Sequence, residues 1–123
     1  MAVAVNWQRL EGGLIFLSGL LVYWPHAGLM PWGMAVFLFF APDLSFAGYA
    51  FGPRRGAFIY NAVHIYALGG ALIALGLFFA LPVLTGLGAL WLAHSGFDRL
   101  LGYGLKSPEG FFITHLGRIG KAR

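Results

Sequence analysis

Long apolar runs, separated by short connections that carry Pro and Gly, dominate this sequence. With their flanking residues, the runs predict four membrane-spanning helices at approximately residues 8–25, 31–51, 56–81 and 82–103. Short connections make consecutive helices antiparallel, so the pattern predicts an all-α, up-down-up-down four-helix bundle in a single membrane domain, residues 1–123. Pro42-Asp43 interrupts the second span. We expect residues 105–123 to form a short polar tail outside the membrane. This tail could fold as an interfacial helix.

Composition supports a lipid environment and excludes several kinds of site. Hydrophobic residues make up 59% of the chain and charged residues 10%, which favours a membrane protein over a soluble domain. The absence of cysteine excludes disulfides, thiolate metal ligands and thiol catalysis. The net charge is +4, but the basic residues are few and dispersed among apolar segments, which argues against a nucleic-acid partner.

The basic residues predict an orientation in the membrane. In a four-span arrangement all of them fall on one side, namely Arg9, Arg54, Arg55, Arg99, Lys106, Arg118, Lys121 and Arg123. Because Lys and Arg concentrate in cytoplasmic segments, we expect a multi-pass inner (plasma) membrane protein with both termini in the cytoplasm.

Polar side chains gather towards the same end of the predicted spans. His64 lies about 12 Å into the third span and His94 about 13 Å into the fourth, counted from the cytoplasmic end at the helical rise. Asp98 follows His94 by four residues and therefore shares its helix face. Asp43 lies in the same half of the second span, and Glu11 begins the first. An unpaired buried carboxylate is costly, so we expect each aspartate to be paired, protonated or bound to a metal.

These residues predict a metal site with an enzyme-like surrounding. We assign His64, His94 and Asp98 as metal ligands, a nitrogen and oxygen set that suits zinc, iron or manganese. We assign Asp43 and Glu11 as catalytic carboxylates that accept a proton from water. The cations Arg54, Arg99 and Lys106 would bind an anionic substrate, with Tyr60, Asn61, Tyr103 and His115 in support. The hypothesis is a metal-dependent, hydrolase-like enzyme acting on an amphiphilic or lipid-like substrate.

Two other kinds of function stay open. A non-enzymatic transporter, proton relay or accessory subunit of a larger membrane complex could use the same groups as protonatable or packing residues. A b-type haem or pigment carrier could use His64 and His94 as paired axial ligands, although the aspartates have no natural role there. Besides the lipid bilayer, the candidate partners are a second copy of the chain or a larger complex. The sequence does not decide between an enzyme and a binding or accessory protein.

Several short segments resemble one bacterial family of small integral membrane proteins, domain of unknown function 4260. They include Arg9-Leu-Glu11, Ala41-Pro-Asp-Leu-Ser45, Gly52-Pro-Arg-Arg-Gly56, Tyr60-Asn61 with His64, His94-Ser-Gly-Phe-Asp-Arg99, Gly102-Tyr-Gly-Leu-Lys106 and Thr114-His-Leu-Gly-Arg-Ile-Gly120. The resemblance implies a small multi-span membrane protein, and it brings no activity or residue role with it.

Overall fold

The computed structural model describes residues 2–119, and 79% of the structure is helical. Its helices are α1 (Ala2–Tyr23), α2 (Trp32–Phe40), α3 (Pro53–His64), α4 (Tyr66–Phe78) and α5 (Pro82–Leu101). Two 3-10 segments complete the helical part: Trp24–Leu29 follows α1, and Ala41–Phe51 follows α2. Proline accounts for several of these boundaries. It begins α3 and α5, where its missing N–H and fixed φ suit the first turn, and Pro42 marks the change from α to 3-10 geometry in the second apolar run.

Two helical segments are long and apolar enough to cross a membrane, Ala2–Leu29 and Trp32–Phe51. Helices α3 and α4, which meet at a bend of 44°, form a third candidate if they are taken as one span. This indicates a membrane protein, but the predicted four-helix up-down-up-down bundle is not confirmed. Helix α5, the predicted fourth span, is not among the candidates, because His94, Ser95, Asp98 and Arg99 make its second half polar.

Helix α5 forms the centre of the fold, with α1 and α4 packed closely against it. A Cβ on Gly96 of α5 would lie 2.5 Å from the backbone nitrogen of Phe16 in α1. A Cβ on Gly69 of α4 would lie 2.6 Å from the backbone nitrogen of Leu92 in α5. Glycine at these positions lets the backbones touch, as in other close-packed membrane helices. The polar residues in the second half of α5 are buried within the fold.

The predicted third span is broken after His64. Ile65 takes an extended conformation (φ −76°, ψ 149°), which separates α3 from α4. The break frees the carbonyls of Val63 and His64 from helical hydrogen bonding. Side chains of α5 replace the lost donors: Trp91 Nε1 donates to Val63 O at 2.9 Å and an Arg99 nitrogen donates to His64 O at 2.9 Å. Helix α5 therefore stabilises the bend with two hydrogen bonds.

The polar tail forms a small sheet, which corrects both the all-α prediction and the interfacial helix. Strands β1 (Lys106–Ser107), β2 (Gly110–Thr114) and β3 (Gly117–Arg118) pair antiparallel in the order β1-β2-β3. Gly102, at φ 92°, ends α5 in the left-handed conformation and turns the chain towards the sheet. The aromatic and β-branched residues of β2 favour a strand. Lys121 and Arg123, which entered the orientation argument, lie outside the described residues.

Candidate metal centre and its cavity

Four side chains from three separate segments meet in one cluster. They are Asp43 from the 3-10 segment after α2, His64 from the last position of α3, and His94 and Asp98 from successive turns of α5. One potential ligand atom from each lies within 4.8 Å of the other three. The break after His64 and the proline before Asp43 both fall next to a member of this cluster, which we call the His/Asp cluster.

The distances from each histidine nitrogen to the other ligand atoms are close to those of a tetrahedral metal site. His64 Nε2 lies 3.3 Å from Asp43 Oδ1 and 3.6 Å from Asp98 Oδ2. His94 Nε2 lies 3.2 Å from Asp43 Oδ1 and 3.4 Å from Asp98 Oδ2, and the two Nε2 atoms are 3.3 Å apart. Nitrogen and oxygen ligands about 2.0–2.1 Å from a zinc ion are about 3.3–3.4 Å from one another in a regular tetrahedron. The cluster could therefore hold an ion with little rearrangement.

His64 presents its Nε2 lone pair to the cluster. Its Nδ1 lies 2.8 Å from the carbonyl oxygen of Tyr60, and because a carbonyl can only accept, Nδ1 must be the donor. In the neutral ring the remaining nitrogen, Nε2, is then free to bind a cation, the arrangement found in many metal-bound histidines. The Tyr60 ring also stacks on the imidazole, with centroids 3.8 Å apart at 12°. Hydrogen bonding and stacking together fix the orientation of this ligand.

His94 is held mainly by packing. It is buried on α5, and the rings of Phe39 and Phe40 pack edge-on against it. Their ring centroids lie 5.5 and 6.3 Å from that of the imidazole. Among residues 2–119 its Nδ1 has no hydrogen-bond partner. All of its polar contacts in this part of the chain are therefore made by Nε2, which points into the His/Asp cluster.

The two carboxylates differ in their access to solvent. The side chain of Asp98 is 12% exposed and accepts a hydrogen bond of 3.4 Å from the Tyr60 hydroxyl. The side chain of Asp43 is 38% exposed and contacts only the two histidines among the described polar side chains. Asp43 is thus the member of the cluster that can most easily meet a small molecule from outside.

A cavity of about 250 Å³ adjoins the cluster on its carboxylate side. Its walls combine four aromatic side chains with two carboxylates and a single basic side chain. They consist of Asp43, Phe46, Tyr60, Asp98, Tyr103, Lys106, Phe111 and Ile119. The tail sheet closes the cavity: Phe111 of β2 packs against Phe46 and Tyr49, with ring centroids 5.5 and 5.3 Å apart. The small sheet that sequence reasoning did not predict therefore forms one wall of the candidate site.

Asn61 attaches the sheet to α3. Its amide nitrogen donates to the carbonyl of Lys106 at 2.8 Å, and its amide oxygen accepts the Lys106 N–H at 2.6 Å. The side chain thus pairs with β1 much as a neighbouring strand would. This reciprocal pair fixes the backbone of Lys106 at the edge of the cavity, and the supporting role predicted for Asn61 acquires a specific geometry.

Lys106 is the basic side chain of the cavity. The residue is 5% exposed, and its Nζ lies 4.0 Å from the ring centroid of Phe111 and 5.1 Å from that of Tyr60. Burial lowers the pKa of Lys106, while the charges of Asp98 and Asp43 act in the opposite direction. It belongs to the tail sheet and lines the same cavity as the two carboxylates of the His/Asp cluster.

The other predicted anion-binding residues lie elsewhere. Arg54 is exposed near the start of α3, in a surface hollow with Phe51, Arg55, Phe58 and Ile59. Arg99 is buried, and its guanidinium donates to the carbonyls of His64 and Tyr103 at 2.9 and 3.1 Å. Arg54 does not reach the cavity, and Arg99 serves to hold the bend between α3 and α4.

Two further predicted residues also lie outside the cavity wall. Glu11 is exposed on α1 and is not among the residues that line the cavity. His115, in the turn after β2, is exposed, and its Nδ1 accepts the N–H of Leu105 at 2.9 Å. Tyr103, by contrast, does line the cavity beside Tyr60.

Sequence reasoning missed the apolar wall of the cavity, formed by Phe46, Phe111 and Ile119. Phe46 follows Asp43 by three residues, the repeat of a 3-10 helix, and this spacing was an available signal. Phe111 and Ile119 carried no such signal, because their position depends on the fold of the tail.

Neither a curated protein nor a solved structure matches the chain. A family model described as a domain of unknown function (DUF4260) matches residues 5–119. The match includes all four members of the His/Asp cluster and the three strands of the tail. The chain therefore belongs to the DUF4260 family.

Proposed function

We propose that the His/Asp cluster binds a divalent metal ion and that the protein is a membrane-embedded, metal-dependent hydrolase acting on an amphiphilic substrate. One observation carries the proposal: two imidazoles and two carboxylates gather their ligand atoms within 4.8 Å of one another beside a cavity. The mixed nitrogen and oxygen set suits zinc, iron or manganese, and the histidine distances of 3.2–3.6 Å are compatible with the tetrahedral geometry that zinc usually adopts.

The different solvent exposure of the four side chains suggests which of them are permanent metal ligands and which one is exchangeable. Catalytic zinc sites usually have three protein ligands and keep one position for water or substrate. We assign His64, His94 and Asp98, the more buried members, as the lasting ligands. Asp43 is the most exposed member and borders the cavity, so we assign it as the exchangeable ligand that accepts a proton from water. A bound ion would supply Lewis acidity and make that water more acidic.

The geometry favours a single ion over haem. In a bis-histidine haem the macrocycle lies between the two imidazoles. Here the Nε2 atoms are 3.3 Å apart, and an oxygen from each aspartate lies within 3.6 Å of both. Those oxygens occupy the region that the macrocycle would need.

A proton relay is the main non-enzymatic alternative, because the same hydrogen-bonded groups could exchange protons without any metal. We place the site at the cytoplasmic face of the inner membrane, since the Lys and Arg residues of the sequence cluster towards the predicted ends that also carry the site. Whether the metal is present separates the enzyme from the relay.

Metal content tests the proposal directly. The protein would be purified in a non-ionic detergent without chelator, and zinc, iron and manganese would be measured by elemental mass spectrometry. We expect stoichiometric metal in the wild type and its loss in His64→Ala and His94→Ala. His26→Ala and His115→Ala are matched controls, because both histidines are outside the cluster, and they should retain the metal. A wild-type protein that stays metal-free even after each ion is supplied would overturn the proposal.

A second experiment tests for hydrolase activity. The metal-loaded protein would be incubated with a panel of long-chain esters and alkyl phosphates, and released products would be quantified. We expect Asp43→Asn to abolish turnover while retaining metal, and chelation to abolish turnover in the wild type. Metal binding without hydrolysis of any member of the panel would leave a metal-binding protein and remove the hydrolase assignment.

A further inference from the structure

Lys106 carries a buried positive charge that has no acidic partner in contact. Among residues 2–119 its Nζ contacts the aromatic faces of Phe111 and Tyr60, and no carboxylate lies within ion-pair distance. An ammonium group has three donors, and the described side chains provide none of them with a hydrogen-bond acceptor. Burying a cation in this way is unfavourable unless a ligand or a strong local field compensates it. The side chain lines the cavity, so its free donors are available to a molecule there.

The charge balance of the cavity depends on the metal. Without an ion, a proton shared within the His/Asp cluster and the ammonium of Lys106 together balance the carboxylates of Asp43 and Asp98, so the cavity has no net positive charge to attract an anion. A divalent ion offsets both carboxylates and leaves the charge of Lys106 uncompensated. The cavity then presents two cationic groups, the ion and the ammonium, to whatever enters it.

The size and walls of the cavity limit its occupant. At about 250 Å³ it is smaller than the pockets that enclose a drug-sized ligand, so it suits a head group better than a whole amphiphile. A metal ion together with a lysine is a common means of binding phosphate, whose charge is spread over several oxygens. Phe46, Tyr60 and Phe111 would surround the rest of the head group with apolar surface.

We propose that Lys106 and the metal-loaded His/Asp cluster form a binding site for a phosphate-type anion, which makes a phosphate-bearing molecule the substrate class. This inference rests on the proposed function, because the ion is needed to give the cavity a net positive charge. Both a lipid head group and a free phosphate share this chemistry. Arg54 and Arg99 take no part, since one is remote and the other is occupied by backbone carbonyls.

The test is a titration of zinc-loaded protein in non-ionic detergent with inorganic phosphate and, separately, with dodecyl phosphate, followed by calorimetry. We expect Lys106→Met to bind phosphate at least about tenfold more weakly than the wild type, because a charge-assisted hydrogen bond is lost. Its zinc content should be unchanged. Lys106→Arg, which keeps the charge, should recover much of the affinity, and Arg54→Met should behave as the wild type.

Folding of the variants can be checked independently. Asn61 pairs with the backbone of Lys106, so a change of side chain leaves those hydrogen bonds in place. Hydrogen exchange across residues 106–119 should therefore be the same in Lys106→Met and the wild type. Tighter binding of dodecyl phosphate than of inorganic phosphate would identify a lipid source, and equal binding a soluble one.

The outcomes separate this inference from the proposed function. If zinc binds and phosphate does not, or if Lys106→Met binds phosphate as tightly as the wild type, the anion site is wrong and the metal site stands. If zinc does not bind, the proposed function fails. Equal phosphate affinity with and without zinc would overturn the dependence of anion binding on the metal.

Discussion

The Nε2 atoms of His64 and His94 face each other at a distance of 3.3 Å across the interface between α3 and α5. Because His64 Nδ1 donates to the Tyr60 carbonyl, Nε2 of the neutral ring is an acceptor directed at the other imidazole. Two imidazoles and two carboxylates in this arrangement need a shared proton or a cation between them. A single metal ion would pair with all four groups at once. The four side chains together therefore indicate a metal site, which none of them indicates alone.

The Tyr60 hydroxyl should tune metal affinity. Tyr60→Phe keeps the ring that stacks on His64 and removes the hydrogen bond to Asp98. Loss of a hydrogen bond to a metal ligand typically weakens metal binding by about 10–100-fold. Because the bond between Tyr60 and Asp98 is long, we expect zinc affinity to fall about tenfold. Competition with a chromophoric zinc chelator would measure the change. Tyr49→Phe is the matched control, since the buried Tyr49 hydroxyl has no hydrogen-bond partner within residues 2–119. Equal zinc affinity in Tyr60→Phe and wild type would contradict the orienting role.

The side chain of Asn61 should hold the tail sheet in place. Asn61→Leu keeps a similar volume but leaves the N–H and carbonyl of Lys106 without their partners, which we expect to cost about 1–3 kcal/mol. Hydrogen exchange should accelerate across residues 106–119 and change little in α1. Asn6→Leu, an exposed position on α1, provides the control. If the sheet of Asn61→Leu stayed as protected as in the wild type, the aromatic contacts of Phe111 would be sufficient to dock it.

Close packing of α1 on α5 should make Gly96 intolerant of a methyl group. A Cβ there would lie 2.5 Å from the nitrogen of Phe16 and 2.6 Å from the carbonyl oxygen of Gly12, both backbone atoms that cannot rotate away. We expect Gly96→Ala to lower the free energy of unfolding by about 1–3 kcal/mol. Gly70→Ala is the control, because open space surrounds that position and alanine favours a helix. Unfolding in graded mixtures of detergents would compare them, and equal losses of stability would refute the packing argument.

Acid should weaken the docking of the tail through His115. Partial burial of the imidazole, together with the charge of Arg99, lowers the pKa of His115 below its usual 6.5, so the folded protein holds this proton less tightly than the unfolded chain. The stability from neutral His115 is therefore fully present above the unfolded pKa and is lost as the pH falls through the folded pKa. Protonation of Nδ1 would also break the hydrogen bond from Leu105.

The check is the thermal midpoint of wild type and His115→Asn, measured from about pH 8 to about pH 5. The wild type should lose more stability on acidification than His115→Asn, which cannot titrate. His26→Asn, at a histidine outside the sheet, should follow the wild type. Parallel pH profiles for wild type and His115→Asn would show that this histidine does not control the docking.

The sequence predicts the four residues of the His/Asp cluster because their positions along the predicted helices follow from local periodicity. His94 and Asp98 share a face at a spacing of four, and the depth of His64 was counted along a segment that the structure keeps helical from Pro53 to His64. Asp43 was located by the proline that precedes it. In each case the signal lay within a few residues of the position that it predicted.

The features that sequence reasoning missed depend on distant residues. No proline or glycine marks the break at Ile65, and the conformation is supported by Trp91 and Arg99 from another helix. Arg99 was assigned to substrate because its carbonyl partners could not be known without the fold. The tail sheet contains only short strands, and its docking depends on Asn61, which is 45 residues from Lys106.

The bend after His64 has a consequence for biosynthesis. While the ribosome is still translating α5, Trp91 and Arg99 are absent, and the carbonyls of Val63 and His64 lack the donors that they have in the finished structure. In the membrane such carbonyls are best satisfied by a continuous helix. We therefore expect residues 53–78 to enter the bilayer as one straight helix and to bend only when the last helix arrives. The His/Asp cluster would then assemble only after translation of all the segments that form it.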